Sequence, residues 1–90
     1  MLDPNIETLV IAQEECAEVI KEISKVIRFG LDNKHPNESE TNRDKLTQEI
    51  GDLLCMIDLM IEKDIIDIEI VHTCKILKRE KLKRWSGVIK

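Results

Sequence analysis

Residues 42–60 read NRDKLTQEIGDLLCMIDLM. Wound as a helix at about 100° per residue, this stretch places Leu46, Leu53, Met56 and Met60 within about 60° of Glu49. Glu49 therefore lies inside the apolar arc rather than opposite it. Asp52 falls about 60° to one side, between Met56 and Leu59. A carboxylate in an apolar arc must be paired with a base, protonated or bound to a cation, because a bare buried charge is very costly. At this level an ion pair to a neighbouring Lys or Arg remains an alternative to a cation.

The flanks fit a helical hairpin. Thr41 offers an N-cap, and Asp44 three residues later completes a capping-box-like pair, which predicts a helix over 42–63. Gly51 inside it weakens the helix by about 1 kcal/mol relative to Ala and leaves room for a close helix approach. The preceding segment, 31–41, is polar and contains Pro36, so it reads as a loop. Before that loop, Asp3 can cap a helix with Pro4 at its first position, and Gly30 is a natural stop. The run 4–29 has no internal Gly or Pro after Pro4. Downstream, Asp67 caps a third helix over 68–84, with Ile66 and Val71 placed as a hydrophobic staple. The β-branched run 65–71 could compete as a strand but has no partner strand. The expected fold is all-α: an antiparallel bundle of three main helices in one domain, 1–90.

The first helix carries acids on one side. With Glu18 at zero, Glu15 lies at about 60°, Glu22 at about 40° and Glu14 at about 320°. The main apolar arc (Leu9, Cys16, Val19, Ile20, Ile23, Ile27) centres at about 170°. Ile11 and Phe29 fall on the acidic side, which suggests that part of that side is covered. If the first two helices pair antiparallel, Glu15 and Glu18 lie roughly 21 and 17 Å below the loop end at 1.5 Å per residue. Glu49 and Asp52 lie roughly 11 and 15 Å below it. The two pairs come within about one turn of level, and i, i+3 spacing points both members of each pair the same way. Four carboxylates facing one point call for a cation, and hard oxygen donors suit Mg²⁺, with Mn²⁺ as an alternative.

Composition narrows the class. Ninety residues bury a modest core, so self-association as a homodimer or homotetramer is expected. The second helix is apolar over more than the ~100° of a one-sided helix, which points the same way. With 18 acids against 14 bases and a net charge of −4, broad binding of a nucleic-acid polymer is disfavoured. One Phe, one Trp and no Tyr leave no aromatic platform for single strands. The charge is uneven: Lys75, Lys78, Arg79, Lys81, Lys83, Arg84 and Lys90 stand against one acid, Glu80, over residues 75–90. This tail could meet phosphate locally. No stretch is long and apolar enough to span a membrane, and no signal-peptide pattern opens the chain. Cys16, Cys55 and Cys74 read as reduced, buried thiols, with a cytoplasmic location expected.

Glu14-Glu15-Cys16-Ala17-Glu18 is an EExxE element, and Glu49-Ile50-Gly51-Asp52 is an ExxD element. The two on consecutive helices resemble the signature of the MazG-like, all-α nucleoside triphosphate pyrophosphohydrolases. The flanking runs are similar to small members of the sort often carried by phages, and the resemblance covers roughly residues 11–85. It implies Glu15, Glu18, Glu49 and Asp52 as metal ligands for Mg²⁺. It implies Glu14 as a second carboxylate layer or a water-positioning group. The implied reaction is (d)NTP + H₂O to (d)NMP + pyrophosphate. The Pro36 loop becomes a candidate substrate-side element. For the triphosphate, Lys25 lies on the acidic face and Arg28 one turn further. On the third helix, Lys81 continues the apolar stripe Ile70–Cys74–Leu77, with Lys78 and Arg84 beside it. Each of these bases could equally be an ordinary surface residue.

Three other readings are kept. Phosphoribosyl-ATP pyrophosphohydrolases share the helical plan and a similar acidic motif. A di-iron bundle would expect two ExxH elements on facing helices, whereas Glu69–His72 is single. A non-enzymatic helical interaction module would explain amphipathic helices, but not acids that interrupt the apolar arc of the second one.

Overall fold

The computed structural model describes residues 3–89. Three helices follow in order: α1 Pro4–Phe29, α2 Asn42–Glu62 and α3 Ile68–Trp85. All three starts are set by the residues expected. The Asp3 carboxylate accepts the Asn5 and Ile6 N–H groups at 2.8 and 3.4 Å. Thr41 and Asp44 form the reciprocal capping box, at 3.1 and 3.0 Å. Asp67 accepts the N–H groups of Glu69 and Ile70 at 2.8 and 3.3 Å. The β-branched run divides between a turn and α3, and no strand forms among the described residues. α2 stops because Asp64 adopts a left-handed φ of 57°. The Asp64 and Ile65 N–H groups then bond back to the Ile61 and Met60 carbonyls at 3.0 and 2.8 Å, closing a Schellman turn.

α1 and α2 form an antiparallel hairpin whose two ends are pinned. At the loop end, Gly30 takes φ 91°, a conformation that needs glycine. Buried Asn42 donates its side-chain N–H to the Gly30 carbonyl at 2.9 Å. The Asn42 and Arg43 backbone N–H groups bond to Asn33 and Leu31 at 2.9 and 2.8 Å. Arg43 also pairs with Asp32 at 3.0 Å, holding that carboxyl below its usual range. At the opposite end, Lys63 Nζ donates to Thr8 Oγ1 at 2.6 Å.

The packing sets acids of α1 against α2, as the level carboxylate pairs imply, and leaves the large apolar arc of α1 open. α1 faces α2 with Thr8, Ala12, Glu15 and Glu22 and with Val19 from the near edge of the apolar arc. The large apolar arc points outward instead, with Ile20 at 68% and Ile27 at 78% exposure. Thr8 and Ala12, both small, are buried at this contact. Buried apolar residues among those described are only Ala12, Val19 and Met56. Gly51 is not at a close approach, since a Cβ there would meet nothing within 4 Å. α3 leaves the hairpin as an arm with no buried residue of its own, so its apolar stripe is open and Ile70 and Leu77 are more than half exposed. The three cysteines are exposed rather than buried, because each lies on a face that no described residue covers.

The result is a flat shape of 43 × 42 × 14 Å with a radius of gyration of 16.1 Å. A compact chain of this length would have a radius of about 12 Å. The accessible surface is 7257 Å², against about 5400 Å² for a compact monomer of this mass.

Candidate metal centre

The α1–α2 seam brings carboxylates together. On α2 the seam residues are Leu46, Glu49, Leu53, Met56 and Met60, the arc that surrounds Glu49 in sequence. On α1, Glu15 lies on the same stripe as Ala12 and Val19. Glu15, Glu49 and Asp52 each offer a carboxylate oxygen, and these oxygens all lie within 4.8 Å of one another. Glu15 and Glu49 are half-buried and Asp52 is exposed. Glu15 Oε2 is buried with no hydrogen-bond partner. Partial burial pushes the Glu49 carboxyl above its usual range, and the charges of Asp52, Glu15, Glu18 and Glu22 push it further. Among the described residues no Lys or Arg forms an ion pair with Glu15, Glu49 or Asp52. The ion-pair alternative left open by the sequence therefore has no counterpart here.

Such a cluster is suited to a hard divalent cation. Its donors are all oxygen, it has no internal neutralising base, and one inward-facing oxygen lacks a partner. Glu18 is exposed and lies outside the group that meets within 4.8 Å, although its charge still reaches Glu49. Glu14 is exposed and also outside that group.

Two residues near the centre were not singled out from sequence. Glu22 is 5% exposed, and its Oε2 has no hydrogen-bond partner. The depth argument could have found it, since Glu22 and Glu49 each lie seven residues from the loop end of their helix. Lys45 is half-buried one turn from Glu49 and pairs with Glu38 across the loop. That side chain follows Asn42 and precedes Glu49 along the seam, but by itself it reads as a surface lysine.

The expected phosphate-binding bases divide into two groups. Lys25 is in the groove, with its ammonium 3.4 Å from Glu22 Oε1. Arg28 is exposed, its guanidinium 5.2 Å from the centre of the Phe29 ring. Lys78, Lys81 and Arg84 are exposed on α3, and the arm does not bring them to the carboxylates within one chain. Along the groove the order is thus carboxylates (Glu15, Asp52, Glu49), then cations (Lys25, Lys45), then the loop.

No helix among the described residues is long and apolar enough to cross a membrane. A family model of the MazG nucleotide pyrophosphohydrolase domain matches residues 5–83, which takes in nearly all of the three helices. No curated protein and no solved structure matches the chain.

Proposed function

Because the chain belongs to the MazG nucleotide pyrophosphohydrolase family, we propose that it is a Mg²⁺-dependent hydrolase converting (d)NTP and water to (d)NMP and pyrophosphate. The observation that carries this reading is the convergence of Glu15, Glu49 and Asp52 within 4.8 Å, with no basic residue of the described chain neutralising them. Glu15, Glu49 and Asp52 would hold the cation, with Glu18 one turn along α1 as a fourth carboxylate. When bound, the cation supplies charge neutralisation and Lewis-acid polarisation at phosphate oxygens.

The protein's own residues do the remaining work. Lys25 and Lys45 lie on the loop side of the carboxylates and meet the phosphate chain as point charges, exchanging Glu22 and Glu38 for phosphate. Walls formed by half-buried Leu46 and Leu53 and buried Val19 limit water around the anhydride. In the overall step, the water oxygen forms a new P–O bond, the α–β bridging P–O bond breaks, and the proton lost by water passes to carboxylate or solvent. Glu14, beside Glu15 but facing solvent, would orient water rather than bind the cation.

A second copy completes the assembly in this reading. The surface in excess of a compact monomer is about 1,900 Å² per chain, roughly twice the ~800 Å² that each partner gives to a standard interface. That surface includes the Ile20–Ile27 face of α1 and a largely apolar groove along α3 lined by Ile70, Cys74 and Leu82. Only from a second copy can Lys78, Lys81 and Arg84 reach a triphosphate on the hairpin.

The test is pyrophosphate release from a panel of NTPs and dNTPs with Mg²⁺, Mn²⁺ or EDTA. Metal-dependent release with (d)NMP as co-product is expected. No release from any nucleotide would overturn the reading, and phosphoribosyl-ATP would be the next substrate assayed.

A further inference from the structure

Glu22 is the acid of the seam that the metal set leaves out and the fold buries most. Its side chain is 6% exposed, whereas Glu15 and Glu49 are half-buried and Asp52 is exposed. It stands on the Glu15 stripe of α1, about two turns nearer the loop and level with Glu49. Its Oε1 lies 3.4 Å from the Lys25 ammonium, and its Oε2 is buried with no hydrogen-bond partner. The carboxylate is therefore only half satisfied. It also occupies the joint of the groove, where the carboxylates end and the cations begin.

That position acts in both directions. Toward the metal end, the Glu49 carboxyl is pushed up by partial burial, by Asp52, Glu15 and Glu18, and then by Glu22. Toward the loop, the Lys45 ammonium is held up first by its hydrogen bond to Glu38, and the Glu22 charge adds to that hold. Water screens an exposed acid, but screens a buried one much less. Without a cation, Glu15, Glu22, Glu49 and Asp52 stand against Lys25 and Lys45, and Lys45 is already paired with Glu38. A polyphosphate that reaches Lys25 then meets a buried negative charge beside the same ammonium. A divalent cation among Glu15, Glu49 and Asp52 offsets that excess and leaves Lys25 usable.

We propose that Glu22 is a specificity-determining residue that makes anion binding at Lys25 conditional on the divalent cation. The groove accepts a polyphosphate together with its metal and rejects the bare anion. The inference rests on the pyrophosphohydrolase reading for the identity of the anion, and it deepens that reading. Glu22 acts here through its charge on Lys25 and not as a metal ligand. Metal and polyphosphate are then coupled through a protein side chain, so each tightens the binding of the other.

The experiment uses inorganic tripolyphosphate as the probe, with binding measured by calorimetry in EDTA at fixed ionic strength. Glu22→Gln keeps the shape and an oxygen for Lys25 but removes the charge. It is expected to bind tripolyphosphate about tenfold more tightly than wild type, which lies between the fully screened and the surface value of one unit charge a few ångströms away. Glu22→Asp keeps the charge and should bind like wild type. Glu62→Gln, which removes an exposed charge at the far end of α2, should also bind like wild type. Far-UV circular dichroism confirms that each variant is folded. No tightening in Glu22→Gln overturns the proposal. Equal tightening in Glu22→Asp overturns it by making the effect one of packing, and equal tightening in Glu62→Gln by making it one of net charge. Mg²⁺ titrated into Glu22→Gln alone is a further check, and a loss of metal binding as large as that in Asp52→Asn would make Glu22 a ligand and overturn the proposal. No arm involves turnover, so absence of pyrophosphate release would strike the parent reading and leave these results to decide the role of Glu22.

Discussion

Replacing Ile27 by Lys should abolish the self-association proposed above and leave single chains. Ile27 is 78% exposed on the outer face of α1 and lies in line with Ile20 and Ile23, which are 68% and 43% exposed. Full burial of an isoleucine is worth about 1.5–3 kcal/mol. The fraction of Ile27 still open to water in one chain is therefore worth about 1.2–2.3 kcal/mol if a second copy covers it. In a two-fold interface the same residue counts twice, so the substitution removes about 2.5–4.5 kcal/mol before any charge cost is added. That corresponds to a rise of about a hundredfold to a thousandfold in the dimer Kd. Sedimentation velocity at micromolar concentration, with and without the substitution, reads this directly. Far-UV circular dichroism at the same concentration controls for folding, since Ile27 faces away from α2. A wild-type chain that sediments as a monomer would refute the reasoning, as would an oligomer whose Kd ignores the substitution. Either result would mean that the outward arc of α1 is not an interface.

Glu49→Gln and Asp52→Asn are each expected to abolish metal-dependent pyrophosphate release while leaving helical content intact; full activity in either variant would remove the residue from the centre. The Glu49 carboxyl is pushed up by partial burial and then by Asp52, Glu15, Glu18 and Glu22, so the folded chain holds this proton more tightly than the unfolded chain. Its contribution to stability is therefore complete below the ordinary glutamate range and is lost as pH rises through the raised value. Thermal melts in EDTA should show the melting temperature falling across that window, and Mg²⁺ should recover it most at the upper end. Glu49→Gln should flatten the fall; a metal-free melting temperature that rises through the window would contradict the assignment. Gly51→Ala should stabilise the protein by about 1 kcal/mol, raising Tm by roughly 4–8 °C, because helix propensity improves and the new methyl meets nothing within one chain. A lower Tm would show that a second copy packs against that spot.

The hairpin was legible because local chemistry fixes its ends. Asp3–Pro4, Thr41–Asp44 and Asp67 act within three or four residues of themselves, so their geometry is decided before tertiary structure forms. Glu49 was legible for a related reason: its place among Leu46, Leu53, Met56 and Met60 is set by α2 alone. The partner face on α1 was legible only through the level carboxylate pairs, not through its apolar periodicity. A helix that presents its largest apolar arc away from its own chain looks, in sequence, like a helix that buries that arc internally. The acidic stripe with Thr8 and Ala12 looks like a solvated face. Which of the two faces meets α2 depends on shape matching across the seam, and periodicity carries no information about that. The same limit hid the role of Glu22. It also left α3 expected in a bundle, although its stripe of Ile70, Cys74 and Leu77 has no partner within the chain.

The open apolar arc of α1 and the unpartnered α3 have one physical origin. The seam between α1 and α2 is the main internal interface of the chain, and part of it is given to carboxylates instead of apolar side chains. Ala12, Val19 and Met56 are a small core for 90 residues, and Glu15, Glu22 and Glu49 occupy positions where leucines would pack. Carboxylates facing each other at that seam also repel, as the upward push on Glu49 records. A chain built this way gains little stability from its own hairpin. On the proposed function it recovers stability from groups outside the chain: a cation within the seam, and a second copy over the isoleucine arc and along α3. On this argument metal binding and self-association are not separate properties. Each stabilises the same hairpin, so Mg²⁺ should tighten association and association should tighten Mg²⁺ binding, by the same factor. Titrating Mg²⁺ into wild type and into Ile27→Lys tests it. Equal metal affinity in the two would show that the hairpin is already fully formed in the single chain and that the coupling is absent.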